Sequence, residues 1–109
     1  MPTYNKLVRD RIPQIIEGTG KTCRTRILND EEYLQELNTK LLEEVNEYLG
    51  AKNANEALEE LADVLEVIRA LTAAHGYSVE EGEELRRQKA EKRGGFRERV
   101  YLIDVDDEA

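Results

Sequence analysis

Residues 40–50 have the sequence KLLEEVNEYLG, and residues 60–65 have the sequence ELADVL. Each stretch carries two carboxylates three positions apart, Glu44 and Glu47 in the first and Glu60 and Asp63 in the second. Each also carries leucine and valine at the three- and four-residue spacing of an amphipathic helix. The two stretches therefore predict two long helices, and the direction of their acids on those helices decides between a solvated surface and a functional site.

Capping residues and glycines mark the ends of three long helices. Asn29 or Asp30 is suited to cap the first helix, and Ser78 with Glu81 forms a capping box for the third. The predicted helices run from Asn29 or Asp30 to Gly50, from about Asn55 to His75, and from Ser78 to about Arg93.

Two kinds of shorter element are also predicted. The chain begins as an extended arm that leads into a short helix, with Asp10 as its cap and Pro13 in its first turn. Residues 21–28 and 100–105 are rich in strand-forming side chains and could pair with each other. The predicted fold is mainly α, an antiparallel helical bundle with a small two-stranded β element, in a single domain of residues 1–109. Because three helices cover little core, we expect a second subunit to complete a four-helix bundle, as a homodimer or homotetramer.

The amino-acid composition argues against some classes of binding partner. The net charge of −8 argues against sequence-independent binding of nucleic acid, which requires lysine and arginine to neutralise phosphates. No apolar run approaches the roughly 18 residues needed to span a bilayer, and residues 1–11 lack the apolar region of a secretion signal. A single cysteine, Cys23, is compatible with a reducing compartment. We therefore expect a cytoplasmic protein that binds neither membranes nor nucleic acid.

The acids of the first long helix do not share one direction. At about 100° per residue, Glu44 lies at the edge of the apolar arc and Glu47 lies next to it. Glu43 points almost directly away from the core, and Lys40 points between Glu44 and Glu47 into the same cleft. Glu44 and Glu47 are thus the ligand candidates of this helix.

Glu60 is the anomalous acid of the second long helix, because it falls inside the apolar arc, with Asp63 just past the edge. A carboxylate on a buried face is costly unless it is paired, protonated or bound to a metal. One explanation is a charged helix pair in which a lysine or hydroxyl satisfies Glu60. The other is a site for Mg²⁺ or Mn²⁺, because two carboxylate pairs on consecutive antiparallel helices can converge.

The third helix carries a basic pair, Lys89 and Arg93, four positions apart. Both project towards the side of Leu85, the main apolar residue of that helix. The pair can complement the helix dipole at its C-terminal end, or it can clamp phosphates if the carboxylates hold a metal.

With these residues placed, the chain resembles the MazG-like, all-α nucleoside triphosphate pyrophosphohydrolase superfamily. The family signature of Glu-Glu-x-x-Glu followed by Glu-x-x-Asp corresponds to EEVNE at 43–47 and ELAD at 60–63. A later Lys-x-x-x-Arg corresponds to KAEKR at 89–93, followed by GGF. The opening YNKLVRDRIPQII at 4–16 is similar to the arm of short, phosphoribosyl-ATP pyrophosphohydrolase-like members.

The resemblance implies an enzyme that hydrolyses a nucleotide between its α- and β-phosphates, giving a monophosphate and pyrophosphate, with Mg²⁺ as cofactor. It implies catalytic roles for Glu43, Glu44 and Glu47, with Glu43 orienting a metal-bound water or acting as general base. The implied metal ligands are Glu44, Glu47, Glu60 and Asp63, and the implied phosphate-binding residues are Lys40, Lys89 and Arg93.

Other functions stay open at this level. The physiological role is nucleotide-pool house-cleaning, or phosphoribosyl-ATP hydrolysis in histidine biosynthesis, which the short chain and its arm permit. A non-catalytic helical module that oligomerises or binds a partner is the alternative outside the enzymes. Arg9 and Arg11 of the arm could reach a substrate phosphate or have an exposed structural role, and no residue identifies the base or the sugar.

Overall fold

A computed structural model describes residues 2–106 of the chain. Its secondary structure is helical, as predicted: α1 (Ile12–Gly18), α2 (Asp30–Leu49), α3 (Ala54–Ala74) and α4 (Val79–Arg93). The chain divides into two compact units, Met1–Tyr77 and Ser78–Ala109. The prediction of one domain over residues 1–109 stays a prediction.

Helix α2 begins where the sequence predicts it. The backbone N–H of Glu32 donates to Asn29 Oδ1 at 2.9 Å, and the N–H of Asn29 donates to Glu32 Oε1 at 3.3 Å. This reciprocal pair is a capping box, which satisfies two N–H groups that the first helical turn leaves free. The cap confirms Asn29 as the start signal of α2.

A short connector, residues 50–53, joins α2 to α3. Asn53 caps α3 by accepting a hydrogen bond from the N–H of Glu56 at 2.9 Å. Glu56 Oε2 in turn accepts from the N–H of Lys52 at 2.7 Å, which fixes the connector to the first turn of α3. Since α2 and α3 pack against each other and the connector is short, the two helices form an antiparallel hairpin.

The hairpin encloses a small core. Leu37 of α2 and Val67 of α3 are the buried apolar side chains within residues 2–106. Other members of the predicted apolar arcs remain open to solvent, among them Leu42, Leu58 and Leu65, which are 66%, 69% and 57% exposed. Leu37 and Val67 belong to the predicted apolar arcs, but the hairpin covers only the edge of each arc next to Glu44 and Glu60 and leaves the rest exposed.

The predicted β element is wrong for the part of the chain that the structure describes. Neither residues 21–28 nor residues 100–105 form a strand, and no strand occurs within residues 2–106. An isolated pair of strands is marginally stable in water unless it packs on a further surface. The strand-forming side chains are mostly exposed instead, with Ile27 at 94% and Ile103 at 86%.

The short helix of the arm begins slightly later than predicted. Helix α1 starts at Ile12 with Pro13 in its first turn, and Arg11, not Asp10, occupies the capping position. Arg11 makes no side-chain cap, so the prediction of Asp10 as the capping residue is wrong. Proline is tolerated in the first turn because it lacks an N–H group, and the N–H groups of that turn have no partner within the helix.

The second unit contains α4, which has the predicted capping box. The N–H of Glu81 donates to Ser78 Oγ at 3.0 Å, and Glu81 Oε1 accepts from the N–H of Ser78 at 3.0 Å. The helix ends at Arg93 and is followed by the capping residue Gly94, whose φ of +83° lies in a region that side chains disfavour. Among residues 2–106, no helix has the length and apolar character needed to cross a membrane.

The cap of α3 yields a stability prediction. Replacing Asn53 by alanine removes the acceptor for the Glu56 N–H, and we expect the free energy of unfolding in urea to fall by about 1 kcal/mol. Asn46→Ala, within α2, is the matched control and should be neutral or slightly stabilising because alanine favours helices. Equal stability of Asn53→Ala and wild type would contradict a contribution from the cap.

Candidate metal centre

Three of the four predicted ligands converge between α2 and α3. Glu44, Glu47 and Glu60 each offer one carboxylate oxygen, and these oxygens all lie within 4.8 Å of one another. We call these three residues the glutamate cluster. The i, i+3 spacing places Glu44 and Glu47 one turn apart on α2, and the antiparallel hairpin brings Glu60 of α3 opposite them.

Glu44 is the most enclosed member of the cluster. It is 7% exposed, and its Oε2 has no hydrogen-bond partner within the described residues. Burial raises the pKa of the Glu44 carboxyl above its usual range, and the nearby Glu47 carboxylate raises it further. A buried acceptor without a donor costs free energy, so this position favours a proton or a cation.

Glu60 repeats the pattern from the opposite helix. Its side chain is half-buried, and its Oε2 is enclosed without a hydrogen-bond partner within residues 2–106. Loss of contact with water raises the pKa of Glu60, followed by the effects of Glu47 and Asp63. The alternative in which a lysine or hydroxyl satisfies Glu60 is therefore not realised at this oxygen.

Lys40 lies beside the cluster, as its predicted direction requires. Its Nζ is 3.7 Å from Glu44 Oε1 and also 3.7 Å from Glu43 Oε2, and its side chain is 19% exposed. At these distances Lys40 forms ion pairs with both carboxylates but is too far away for a hydrogen bond. Lys40 therefore supplies positive charge but leaves Glu44 Oε2 without a donor. Its charge lowers the pKa of Glu44 against the larger effect of burial.

Glu43 does not join the cluster. Its carboxylate pairs with Lys40, and its side chain is 39% exposed. The predicted outward direction of Glu43 is thus only partly correct, because its carboxylate pairs with Lys40 and the residue is less exposed than Glu47. The predicted roles of Glu43 as water-orienting group or general base stay predictions.

Asp63, the fourth predicted ligand, has a cationic partner. Arg9 Nη2 donates to Asp63 Oδ1 at 2.6 Å, and Asp63 lies outside the group formed by the glutamate cluster. Its negative charge nevertheless raises the pKa of both Glu44 and Glu60. Asp63 is therefore an electrostatic neighbour of the cluster whose Oδ1 is occupied by an arginine.

The sequence alone does not predict that Arg9 lies at this site. Arg9 lies in the extended arm before α1, 54 positions from Asp63. Helical periodicity cannot place an arginine of an extended segment, and no spacing links residues so distant in the chain. The only signal was the arm itself, whose sequence is similar to that of short MazG-like members.

The predicted phosphate-binding residues of α4 belong to the second unit. Lys89 and Arg93 lie one turn apart near the C-terminal end of α4, and both are exposed. The basic side chains Lys92 and Arg93 stand in the last turn of the helix, where positive charge is favourable. A role of Lys89 and Arg93 in binding phosphate stays a prediction.

The donor set fits a hard divalent cation. The clustered donors are all carboxylate oxygens on two helices, and neither histidine nor cysteine belongs to the group. Mg²⁺ and Mn²⁺ prefer such oxygens, whereas zinc and copper sites usually include nitrogen or sulfur. The two unpartnered oxygens, on Glu44 and Glu60, are where a cation would relieve a cost that the protein groups leave in place.

Comparisons with known proteins give one partial relative. An uncharacterised protein of Mycolicibacterium smegmatis is 48% identical to this chain over 54 residues, which is 50% of this chain and 55% of that protein. The chain thus spans about half the length of the curated relative that it matches. No family model matches the chain. No solved structure matches it either.

The raised pKa values of Glu44 and Glu60 predict that the free energy of unfolding depends on pH when a chelator keeps the protein free of metal. Glu44 and Glu60 retain protons in the folded protein at pH values where the unfolded chain, with a pKa near 4.5, has lost them. Their contribution to the free energy of unfolding therefore falls as the pH rises from about 4.5 through the raised folded-state pKa. We expect Glu44→Gln to match wild type near pH 4.5 and to exceed it in stability at pH 7, by urea unfolding.

Glu43→Gln is the control, because it removes the same charge outside the cluster. Its stability should follow wild type more closely than Glu44→Gln does across the same pH range. A wild-type protein that is more stable than Glu44→Gln at pH 7 in chelator would contradict an unsatisfied carboxylate at position 44.

Proposed function

We propose that this protein is a Mg²⁺-dependent nucleotide pyrophosphohydrolase, which cleaves the bond between the α- and β-phosphates and releases a nucleoside monophosphate and pyrophosphate. The observation that carries the proposal is the pair of enclosed, unpartnered oxygens on Glu44 and Glu60, with the Glu47 carboxylate beside them. A stability role alone gives no reason to enclose two carboxylate oxygens that lack a hydrogen-bond donor. The signature EEVNE and ELAD supports the assignment of this reaction to the cluster.

The proposed role of each side chain follows from its exposure to solvent. Glu44 and Glu60 would bind the cation from the enclosed side, and Glu47, an exposed residue, would bind it where substrate arrives. The bound ion supplies neutralisation of phosphate charge and a water of lowered pKa. Glu43 would accept a proton from that water or orient it, and Lys40 would attract a phosphate while it still pairs with Glu44. Lys89 and Arg93 would hold further phosphate oxygens.

Activity and metal binding are tested together with one charge-matched pair of variants. We expect wild type to release pyrophosphate from nucleoside triphosphates when Mg²⁺ is present and to lose this activity in chelator. Glu60→Gln should weaken Mn²⁺ binding at least about tenfold, because even the loss of a residue supporting a ligand costs that much. Glu66→Gln, which removes an equal charge from an exposed position of α3, should retain both.

The substrate panel separates the reactions that the sequence leaves open. It contains the standard and non-canonical nucleoside triphosphates together with phosphoribosyl-ATP. Preference for triphosphates supports a house-cleaning enzyme, and preference for phosphoribosyl-ATP would assign the reaction to histidine biosynthesis. Binding of Mn²⁺ without any pyrophosphate release would favour a non-catalytic helical module and would contradict the proposed enzyme.

We also propose that the hairpin pairs with that of a second copy, as a homodimer or homotetramer. The hairpin exposes more large apolar side chains than it buries, and exposed apolar surface of this extent is typical of an interface. A second hairpin would form a four-helix bundle, the arrangement in which amphipathic helices of this length cover one another. The exposed large apolar residues of α2 and α3 are Tyr33, Leu42, Val45, Tyr48, Leu49, Leu58, Leu61, Leu65 and Ile68.

The proposed oligomer is tested by substituting one exposed apolar residue of the hairpin. We expect wild type to have the mass of a dimer or tetramer in sedimentation experiments, and Leu65→Glu to shift it towards the monomer. A buried charge without a partner is costly at such an interface. Ile27→Glu is the control, since Ile27 is 94% exposed but lies outside the hairpin. A wild-type monomer at micromolar concentration would contradict the proposal.

For the cellular location, we propose the cytoplasm. The acidic composition and the single cysteine support this, and a nucleotide pool is the expected source of substrate. The net charge of −8 also supports a protein whose partners are nucleotides and copies of itself, with neither nucleic acid nor membranes among them.

A further inference from the structure

The N-terminal arm contacts the edge of the metal centre through one arginine. Arg9 Nη2 lies 2.6 Å from Asp63 Oδ1, and the two side chains are 58% and 40% exposed. The ion pairs with both residues within α2 or within α4 join residues three or four positions apart, whereas this one spans 54 positions. The contact therefore connects the N-terminal arm to α3, two segments that are far apart in the sequence.

Asp63 follows Glu60 by three positions on α3, so it lies one turn from the glutamate cluster. Its charge contributes to the raised pKa of Glu44 and of Glu60, after burial and the Glu47 carboxylate. Two cations thus flank an acidic group of four: Lys40, near Glu44, and Arg9, bound to Asp63. They differ in attachment, since Lys40 belongs to the same helix as Glu44, but Arg9 comes from the arm.

We propose that Arg9 is the resident counter-ion of Asp63, and that a divalent cation and the Arg9 guanidinium compete for this carboxylate. Metal loading would then detach the arm from α3. The inference rests on the proposed metal centre and extends it to the arm. Its basis is the geometry: Oδ1 of the fourth predicted ligand already accepts a hydrogen bond from a positive group.

Exchange of the two cations is physically reasonable at this position. A guanidinium that stays on Asp63 would stand close to a divalent ion held by Glu44, Glu47 and Glu60, and like charges at short range repel. An exposed ion pair contributes little to stability, typically less than about 1 kcal/mol. The arm contact is therefore weak enough to yield to a metal ion, yet it occupies Asp63 when no metal is bound.

The first test is metal affinity, with Mn²⁺ as the probe. Free Mn²⁺ is counted by electron paramagnetic resonance in the full-length protein, without nucleotide. We expect Arg9→Gln to bind Mn²⁺ about two- to fivefold more tightly than wild type, the factor that corresponds to an exposed ion pair. Arg9→Lys, which retains the charge, should stay closer to wild type.

Arg11→Gln is the matched control for charge. It removes the same charge two positions away in the arm, and Arg11 makes no side-chain cap for α1. If Arg9→Gln and Arg11→Gln change Mn²⁺ affinity equally, the effect is long-range charge and competition at Asp63 is refuted. Weaker Mn²⁺ binding by Arg9→Gln would also overturn the proposal, because Arg9 would then support the site.

The second test observes the arm directly, through the side-chain NMR signal of the Arg9 guanidinium, assigned by its loss in Arg9→Lys. With Mg²⁺ added to wild type, this signal should move to the position that it has in metal-free Asp63→Asn, where the ion pair is absent. In Glu60→Gln, at the Mg²⁺ concentration that half-saturates wild type, it should stay close to the paired position.

The outcomes separate the two proposals. If wild type binds Mg²⁺ and Mn²⁺ but the Arg9 signal stays at the paired position, the arm exchange is wrong and the metal centre stands. If wild type binds neither ion, the metal centre and the exchange both fail.

Discussion

The structure depends on one constraint: two carboxylates, Glu44 and Glu60, are enclosed where α2 packs against α3, and neither has a donor for its Oε2 within the described residues. Glu47 adds a third negative group within 4.8 Å. Like charges in an enclosed position oppose the packing that brings them together. The caps at Asn29 and Asn53 and the short connector hold the two helices in this arrangement, so local stability offsets a cost at the centre of the hairpin.

The sequence predicted the features that depend on local chemistry. Asn29 and Ser78 start their helices as expected, and counting residues along each helix correctly placed Glu44 and Glu60 towards the hairpin interface. The β element failed because strand propensity describes one segment, whereas a ladder requires a partner and a surface to cover it. The Arg9–Asp63 pair lay beyond sequence reasoning because an extended arm has no period that assigns its side chains a direction.

The two cations near the cluster are attached to the protein in different ways. Lys40 is 19% exposed and rises from α2 only four positions before Glu44, so it remains beside the cluster whenever the helix is formed. Arg9 is 58% exposed and is held at Asp63 by a contact with a distant segment. Its position follows the conformation of the arm. The charge of Lys40 therefore depends only on the folding of α2, whereas the charge of Arg9 reaches Asp63 through a contact between segments far apart in the sequence.

The short connector between α2 and α3 has a consequence for folding. All four acids fall within residues 44–63, a contiguous stretch whose two helices are joined by residues 50–53. Closing so short a loop costs little chain entropy, and contacts that are local in sequence form early. The acidic group would thus exist as soon as the hairpin folds. A cation captured at that stage would tie the two helices together, so that metal availability would influence the yield of folded chains.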